Sequence, residues 1–239
     1  MKCKIADLIV LIEPKYNRLC EHIKPYVIQT DENTDINIEI NEETINTICK
    51  DPLWTIEDAE ILVSSREFYR ALTLFDGFML HSSALAYKGG AYLFSAEPGV
   101  GKSTHTSLWQ KYLGDDNVTI INDDKPAIRA QNGEVFAYGT PWSGSSDLHT
   151  NVKVPLKAIV FIERSEDNWV KKINQSIALP LLIEQTTRHL NQKEMERLLQ
   201  TINTVVSQIP IYKMGCNIGE DAVKTALKNL VENVDSTMI

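Results

Sequence analysis

The stretch "AYLFSAEPGVGKSTHTSLW", Ala91 to Trp109, decides the fold. Ala91 to Ser95 is a short apolar run that reads as a strand. A tight turn with Gly99 and Gly101 follows. Lys102 then opens a segment in which His105, Leu108, Trp109 and Tyr112 share one helical stripe. Strand, glycine-rich turn and helix in this order match the phosphate-binding pattern G-x-x-x-x-G-K-[ST], except at the first place, where Ala96 stands for glycine. Glycines allow consecutive backbone N–H groups to curl around phosphate oxygens, which a Cβ would hinder. The helix beginning near Lys102 adds the positive end of its dipole at the same spot. The segment Glu97, Pro98, Gly99, Val100, Gly101, Lys102, Ser103 and Thr104 is therefore the expected nucleotide loop. Lys102 reaches the outer phosphates and the Ser103 hydroxyl is placed for Mg²⁺. The first glycine only enters the turn, and alanine is its smallest substitute.

The surroundings of the loop narrow the reading. Upstream, Phe78 to Tyr87 reads as a strand, and Lys88-Gly89-Gly90 as a tight turn. A hairpin thus feeds the loop, whereas in most phosphate-loop proteins a parallel strand arrives from a crossover helix. His81 lies on the first strand of that hairpin. Alone it would be an ordinary half-buried strand histidine, but the hairpin can hold it near the mouth of the loop. His22, His105, His149 and His189 have no such placement.

Downstream, the apolar strand Val118 to Ile121 ends in Asn122-Asp123-Asp124. In isolation that triplet reads as a turn. Just after the loop and its helix, it becomes a candidate for the carboxylates that phosphoryl transfer needs, one for Mg²⁺ and one as base. Adjacent strand residues face opposite ways, so Asp123 and Asp124 share a site only if the backbone bends there; Lys125-Pro126 favours a bend. The loop Gly139-Thr140-Pro141-Trp142-Ser143-Gly144 has two readings, a binding lip with an exposed Trp or an anchor that packs the loop down.

Elsewhere the pattern predicts an α/β fold around a mixed β-sheet. Residues 1–52 read as strands and turns, with Lys4 to Ile12 one apolar strand and Asp35 to Ile40 a half-buried one. Thr55 to Phe75 is helical in period, closed by Asp76-Gly77. Residues 1–77 form a small α+β, strand-rich N-terminal region, and 78–239 the phosphate-loop domain. In the latter, Ala127 to Ala130 and Val135 to Tyr138 make a hairpin about Gln131-Asn132-Gly133, and Ala158 to Glu163 and Ile209 to Lys213 are strands. Leu179 to Arg188, Lys193 to Ser207 and Asp221 to Val231 are helices.

Composition sets the class. The chain has 239 residues, 43% hydrophobic and 23% charged, with a net charge of -8. That balance suits a globular protein with a sizeable core. An acidic surface repels phosphate backbones, so neither nucleic acid nor an anionic membrane is an expected partner. The basic residues Lys153, Lys157, Arg164, Lys171 and Lys172 are interleaved with apolar and acidic ones. Cys3, Cys20, Cys49 and Cys216 lack metal-ligand spacing and read as buried thiols of a reducing compartment. The N-terminal run carries Asp7 and is followed by Glu13, with no small-residue cleavage site, so a cytoplasmic protein is expected.

The order "LHSSALAYKGGAYLFSAEPGVGKST", Leu80 to Thr104, then a helix, then "VTIINDD", Val118 to Asp124, resembles the catalytic core of the HPr kinase/phosphorylase superfamily, particularly its short HPr-kinase-like members. That superfamily shares its core with phosphoenolpyruvate carboxykinases. The resemblance is strong over about residues 78–126 and continues more weakly through "TPWSG", "LKAIVFIE" and "IPIYKMGC". It implies a mixed-sheet phosphate-loop fold. His81 would steady the transferred phosphoryl, Lys102 and Ser103 would serve as loop lysine and hydroxyl, and Asp123 and Asp124 would form the aspartate pair that supplies the base and helps hold the metal. Residues 1–77 show nothing like the N-terminal domain of true HPr kinases, and no counterpart of the segment that grips HPr is found.

Together these readings predict an ATP- and Mg²⁺-dependent kinase acting on a serine-type hydroxyl of a peptide or protein. Asp123 would be the base, with Asp124 and Ser103 at the metal. Some short HPr-kinase-like members phosphorylate a serine of a ribosomally made peptide, which by analogy makes such a peptide an implied substrate. A kinase for a small metabolite alcohol and a nucleotide-binding regulator without transfer chemistry are the alternatives. The superfamily often forms homo-oligomers, though no apolar stripe here demands one.

Overall fold

A computed structural model describes residues 1–144, 146–187 and 189–232 of the chain. β1 (Lys2–Ile5) and β2 (Leu8–Ile12) form an antiparallel hairpin, and β3 (Ile36–Ile38) adds parallel to β2. The predicted strand from Lys4 to Ile12 is thus two strands, broken at Ala6 and Asp7. Both take left-handed φ, 51° and 61°, in a turn without glycine. Two short helices, α1 (Asn17–Ile23) and α2 (Glu42–Ile48), stand where only strands and turns were expected. Each spans two turns, too few to print an apolar stripe.

α3 (Ile56–Leu72) follows, and its N-cap Thr55 accepts from the Asp58 backbone N–H at 3.1 Å. Its apolar face buries Ala59, Val63, Phe68 and Leu72. Asp76, at φ 53°, closes the segment. The predicted strand Phe78 to Tyr87 is again two, β4 (Gly77–Met79) and β5 (Ser82–Tyr87), separated at Leu80 and His81. β6 (Gly90–Ser95) pairs antiparallel with β5 through the turn at Lys88 and Gly89, and leads into α4 (Lys102–Leu113). Then come β7 (Val118–Asn122), β8 (Ala127–Gln131), β9 (Glu134–Tyr138), β10 (Lys153–Arg164) and β11 (Trp169–Lys172). α5 (Gln175–Glu184), α6 (Gln192–Gln208), β12 (Ile211–Cys216) and α7 (Glu220–Leu227) complete the order. α5 starts earlier than predicted, because Asn174 caps it and Pro180 is tolerated inside it. Arg188, where that helix was expected to end, lies outside the described residues.

The strands from β4 onward form one nine-stranded mixed sheet with the path β4-β8-β9-β10-β6-β5-β7, and β12 pairs β10 and β11. β10 joins its parts: residues 153–155 pair antiparallel with β9, 156–161 parallel with β6 and 159–164 parallel with β12. β6 is buried at all six positions, as a central strand covered on both faces must be. Alternation sends Leu93, Ile159 and Phe161 toward α5 and α6, where Leu182, Leu198, Ile202 and Val205 meet them. Phe94, Val160 and Ile162 face Trp109 of α4 and Ala222, Val223 and Ala226 of α7.

The N-terminal sheet buries Val10, Leu19 and Phe68 in one cluster with Ala127, Tyr138 and Trp142, so residues on either side of position 77 share a core. All four cysteines are free; Cys3 is buried and the other three only partly so. Among the described residues, no helix is long and apolar enough to cross a membrane.

Candidate functional site

The turn between β6 and α4 is where sequence, strain and electrostatics meet. Gly99 and Gly101 have φ 78° and 126°, a region costly for any residue with a Cβ. No neighbouring atom lies where such a Cβ would sit, so backbone conformation alone demands glycine there. Ala96 has no left-handed φ. Its methyl is buried in the α4–α7 cluster, and its carbonyl accepts from Lys102 Nζ at 3.0 Å. Nothing at this position requires glycine. Ala96→Gly is therefore expected to change nucleotide affinity by less than about threefold, the factor set by loop entropy alone, as titration calorimetry would read; a tenfold loss would contradict this account of the loop.

α4 begins at Gly101 with no side-chain cap and no acidic residue in its first turn, leaving its first N–H groups unsatisfied beside the exposed Ser103 and Thr104. α2, α3, α5 and α6 are capped by Asn41, Thr55, Asn174 and Asn191, while α1 and α7 share the uncapped start. Arg164, at the end of β10, donates to the carbonyls of Gly99 at 2.6 Å and Val100 at 3.3 Å, tethering the loop's crown. Lys102 is only 8% exposed. Burial pushes its ammonium below the usual lysine range, against the opposing pull of Asp124, Asp123 and Glu97. That pull brings the loop lysine and both aspartates into one field.

The bend that the aspartate pair required is made by Asn122, a fully buried residue. Its Oδ1 accepts the N–H groups of Asp124 at 3.0 Å and Lys125 at 2.6 Å, turning the chain directly after β7. Its Nδ2 donates to the Thr140 carbonyl at 3.0 Å and the Trp142 carbonyl at 3.1 Å. Tyr69 supports the same corner from α3, donating to the Lys125 carbonyl and meeting Thr140 Oγ1 at 2.8 Å.

Of the two readings of the Trp142 loop, the structure selects the anchor. Trp142 is fully buried, stacks on Phe68 at 4.7 Å and donates from Nε1 to Ser64 Oγ at 3.0 Å. Trp142→Ala is expected to lower stability by about 3 kcal/mol, the usual loss for a large buried aromatic. Chemical denaturation would read it, and a change under about 1 kcal/mol would contradict the anchor role.

The two carboxylates differ sharply. Asp124 Oδ1 lies 3.2 Å from His81 Nε2 and Oδ2 lies 2.8 Å from Lys125 Nζ. Burial alone would raise Asp124, but the His81 hydrogen bond and the Lys125 charge overcome it and hold the carboxyl well below the usual range. Asp123 is 8% exposed, and its Oδ1 is buried with no hydrogen-bond partner among the described residues. Its backbone N–H is held by the Leu148 carbonyl at 3.1 Å. Buried polar atoms are nearly always paired, so a bare carboxylate oxygen next to a lysine calls for a chemical reason.

His81 sits at the break between β4 and β5, its carbonyl held by Ser95 Oγ at 2.8 Å. Gln185, which no local sequence signal marked, orients the ring. Gln185 Nε2 donates to Glu97 Oε1 at 2.9 Å, which fixes the amide and turns its Oε1 toward His81 Nδ1 at 3.0 Å. Both ring nitrogens thus face oxygen atoms, Nδ1 that of Gln185 and Nε2 that of Asp124. A hollow of ≈ 220 Å³ lined by His81, Glu97, Pro98 and Gln185 opens beside this group. Among the described residues, no three His, Cys, Asp or Glu side chains converge as a self-contained metal cage. Mg²⁺ bound with nucleotide phosphates needs only one or two protein ligands. The exposed Ser103 hydroxyl and the Asp124 carboxylate, each of whose oxygens keeps a free lone pair, fit that smaller demand.

The family model of SynChlorMet cassette protein ScmC matches residues 46–222 of the chain. No curated protein sequence matches it. Among solved structures, the Hpr(Ser) kinase/phosphatase from Coxiella burnetii aligns at 12% identity over 67% of this chain and 97% of that one, with a TM-score of 0.39.

Proposed function

We propose that this chain, which belongs to the ScmC family, is an ATP- and Mg²⁺-dependent kinase that transfers the γ-phosphoryl to a serine-type hydroxyl of a peptide or protein. The observation that carries the reading is the unpaired, buried Asp123 Oδ1, set in one field with Lys102 at the uncapped start of α4. The resemblance of the sequence to HPr-kinase-like proteins points the same way.

In this reading the N–H groups of Gly99 to Ser103 and the N-terminus of α4 bind the phosphates. Lys102 leaves the Ala96 carbonyl to reach the outer phosphates. Ser103 and Asp124 would hold Mg²⁺, which when bound would neutralise phosphate charge. Asp123 Oδ1 accepts the proton of the acceptor hydroxyl as its oxygen attacks the γ-phosphorus, and the bond to the bridging oxygen breaks to leave ADP. His81, oriented by Gln185, steadies the moving phosphoryl. The strongly acidic Asp124 suits permanent charge better than proton uptake, which favours Asp123 as the base.

A peptide acceptor is favoured by the ground next to Lys125. A hollow of ≈ 510 Å³ there is lined by Leu53, Trp54, Ile61 and Leu62, rimmed by the charged Arg18, Asp58 and Lys125, and Leu53 is 87% exposed. Apolar side chains flanking an acceptor serine would cover such a surface; a small polar alcohol would not.

Incubation with γ-labelled ATP and Mg²⁺, first with a serine-containing peptide library and then with a metabolite pool, tests this. Label on peptide serine supports the proposal. Label on a small molecule alone, or nucleotide binding with no labelled product, overturns it in favour of a metabolite kinase or a regulator.

A further inference from the structure

β6, β10 and β12 run parallel, so their carboxyl ends open on one side of the sheet. Ligands of open α/β sheets sit in the crevice outside such ends. On this side lies a hollow of ≈ 560 Å³, bounded by the loop at Gly99 to Gly101, by Leu108 of α4, and by Arg164 and Ile218 at the ends of β10 and β12. Asp123, Asp124 and His81 do not line it. The loop therefore has two flanks, one carrying the carboxylates and the other this hollow.

Three features make the second flank a built site. Its wall is braced: Asn168 and Asn217 exchange hydrogen bonds at 3.0 and 3.3 Å, and Asn217 also donates to the Glu166 carbonyl at 3.3 Å. It presents apolar surface next to a fixed planar cation, since Ile218 is 82% exposed and the Arg164 guanidinium is pinned on the loop carbonyls. It also includes His105, which is 2% exposed and has no partner at Nδ1 among the described residues. Trp109 Nε1–H donates to His105 Nε2 at 3.1 Å, and burial pushes the imidazole down to about 4, so the neutral ring carries its single proton on Nδ1. The buried ring stands behind the wall of the hollow, packed against Phe94 and Trp109.

We infer that this hollow holds the heteroaromatic base of the nucleotide, an inference that rests on the phosphate reading of the loop. Leu108 and Ile218 cover the base and the Arg164 plane stacks against it. The loop then divides the ligand, with base and sugar on the α7 side and the terminal phosphate turned toward Asp123.

The test uses the full chain with Mg²⁺ and two probes, ATP and inorganic tripolyphosphate, which lacks a base. Ile218→Ser, at an exposed position, and Leu108→Trp, which fills the hollow, are each expected to weaken ATP binding about tenfold, the scale of one lost apolar contact surface. Tripolyphosphate affinity is expected to hold within about twofold, because its contacts are those of the loop alone. Wild-type protein that binds tripolyphosphate as tightly as ATP, or Ile218→Ser protein with unchanged ATP affinity, overturns the base assignment and leaves the phosphate loop standing. Wild-type protein that binds neither probe overturns both. If Leu108→Trp lowers the melting temperature, Ile218→Ser alone decides.

Discussion

Asp123→Asn is expected to lower turnover by at least about a thousandfold, the scale of removing a catalytic base, while nucleotide affinity stays within a few-fold of wild type. The substitution preserves shape, and the bond from its backbone N–H to Leu148 survives. What disappears is a buried carboxylate oxygen with no hydrogen-bond partner among the described residues. An amide in its place cannot take up a proton. A second consequence separates chemistry from structural damage. A buried charge without a compensating hydrogen bond is costly, so neutralising it should leave the melting temperature unchanged or raise it. Lost activity with retained stability identifies a base; lost activity with lost stability identifies a structural acid. Near-normal turnover would remove Asp123 from the mechanism.

Lys102→Ala is expected to match that loss, at least about a thousandfold in turnover, the upper range for a single electrostatic group, but with a different signature. Nucleotide binding weakens as well, because the ammonium meets the phosphates before and during transfer. Among the described residues, the resting lysine donates to the Ala96 carbonyl, and burial already disfavours its charge. It gains from any anion that enters the loop. Paired measurement of nucleotide Kd and kcat checks this: both must deteriorate in Lys102→Ala, and only kcat in Asp123→Asn. Unchanged affinity in Lys102→Ala would place the phosphates elsewhere.

The parts of this site that were legible in the sequence are those made locally. Gly99 and Gly101 announce a left-handed loop because few other residues adopt it, Lys88-Gly89 marks the hairpin, and an apolar strand before Asn122 marks where the carboxylates emerge. The hidden parts are those that tertiary contacts create. The turn at Ala6 and Asp7 breaks a strand without glycine, because pairing with β2 and the shared core hold it. Asn122 was visible as a turn residue, but its double role as bend and tether depends on Thr140 and Trp142 folding back over it. Gln185 lies 104 positions after His81 and meets it only because α5 packs beside the break between β4 and β5. The anchoring of Trp142 likewise waits on Phe68 and Ser64 of α3, contributed by the N-terminal third of the chain.

The most direct test of the whole account is a crystal structure of the full chain with Mg²⁺ and a non-hydrolysable ATP analogue. The expected complex has the β- and γ-phosphates against the N–H groups of Gly99 to Ser103, Lys102 Nζ moved from the Ala96 carbonyl onto a phosphate oxygen, and Asp123 Oδ1 open toward the γ-phosphorus. A triphosphate bound away from this loop, or one whose γ-phosphate points away from Asp123, would contradict it.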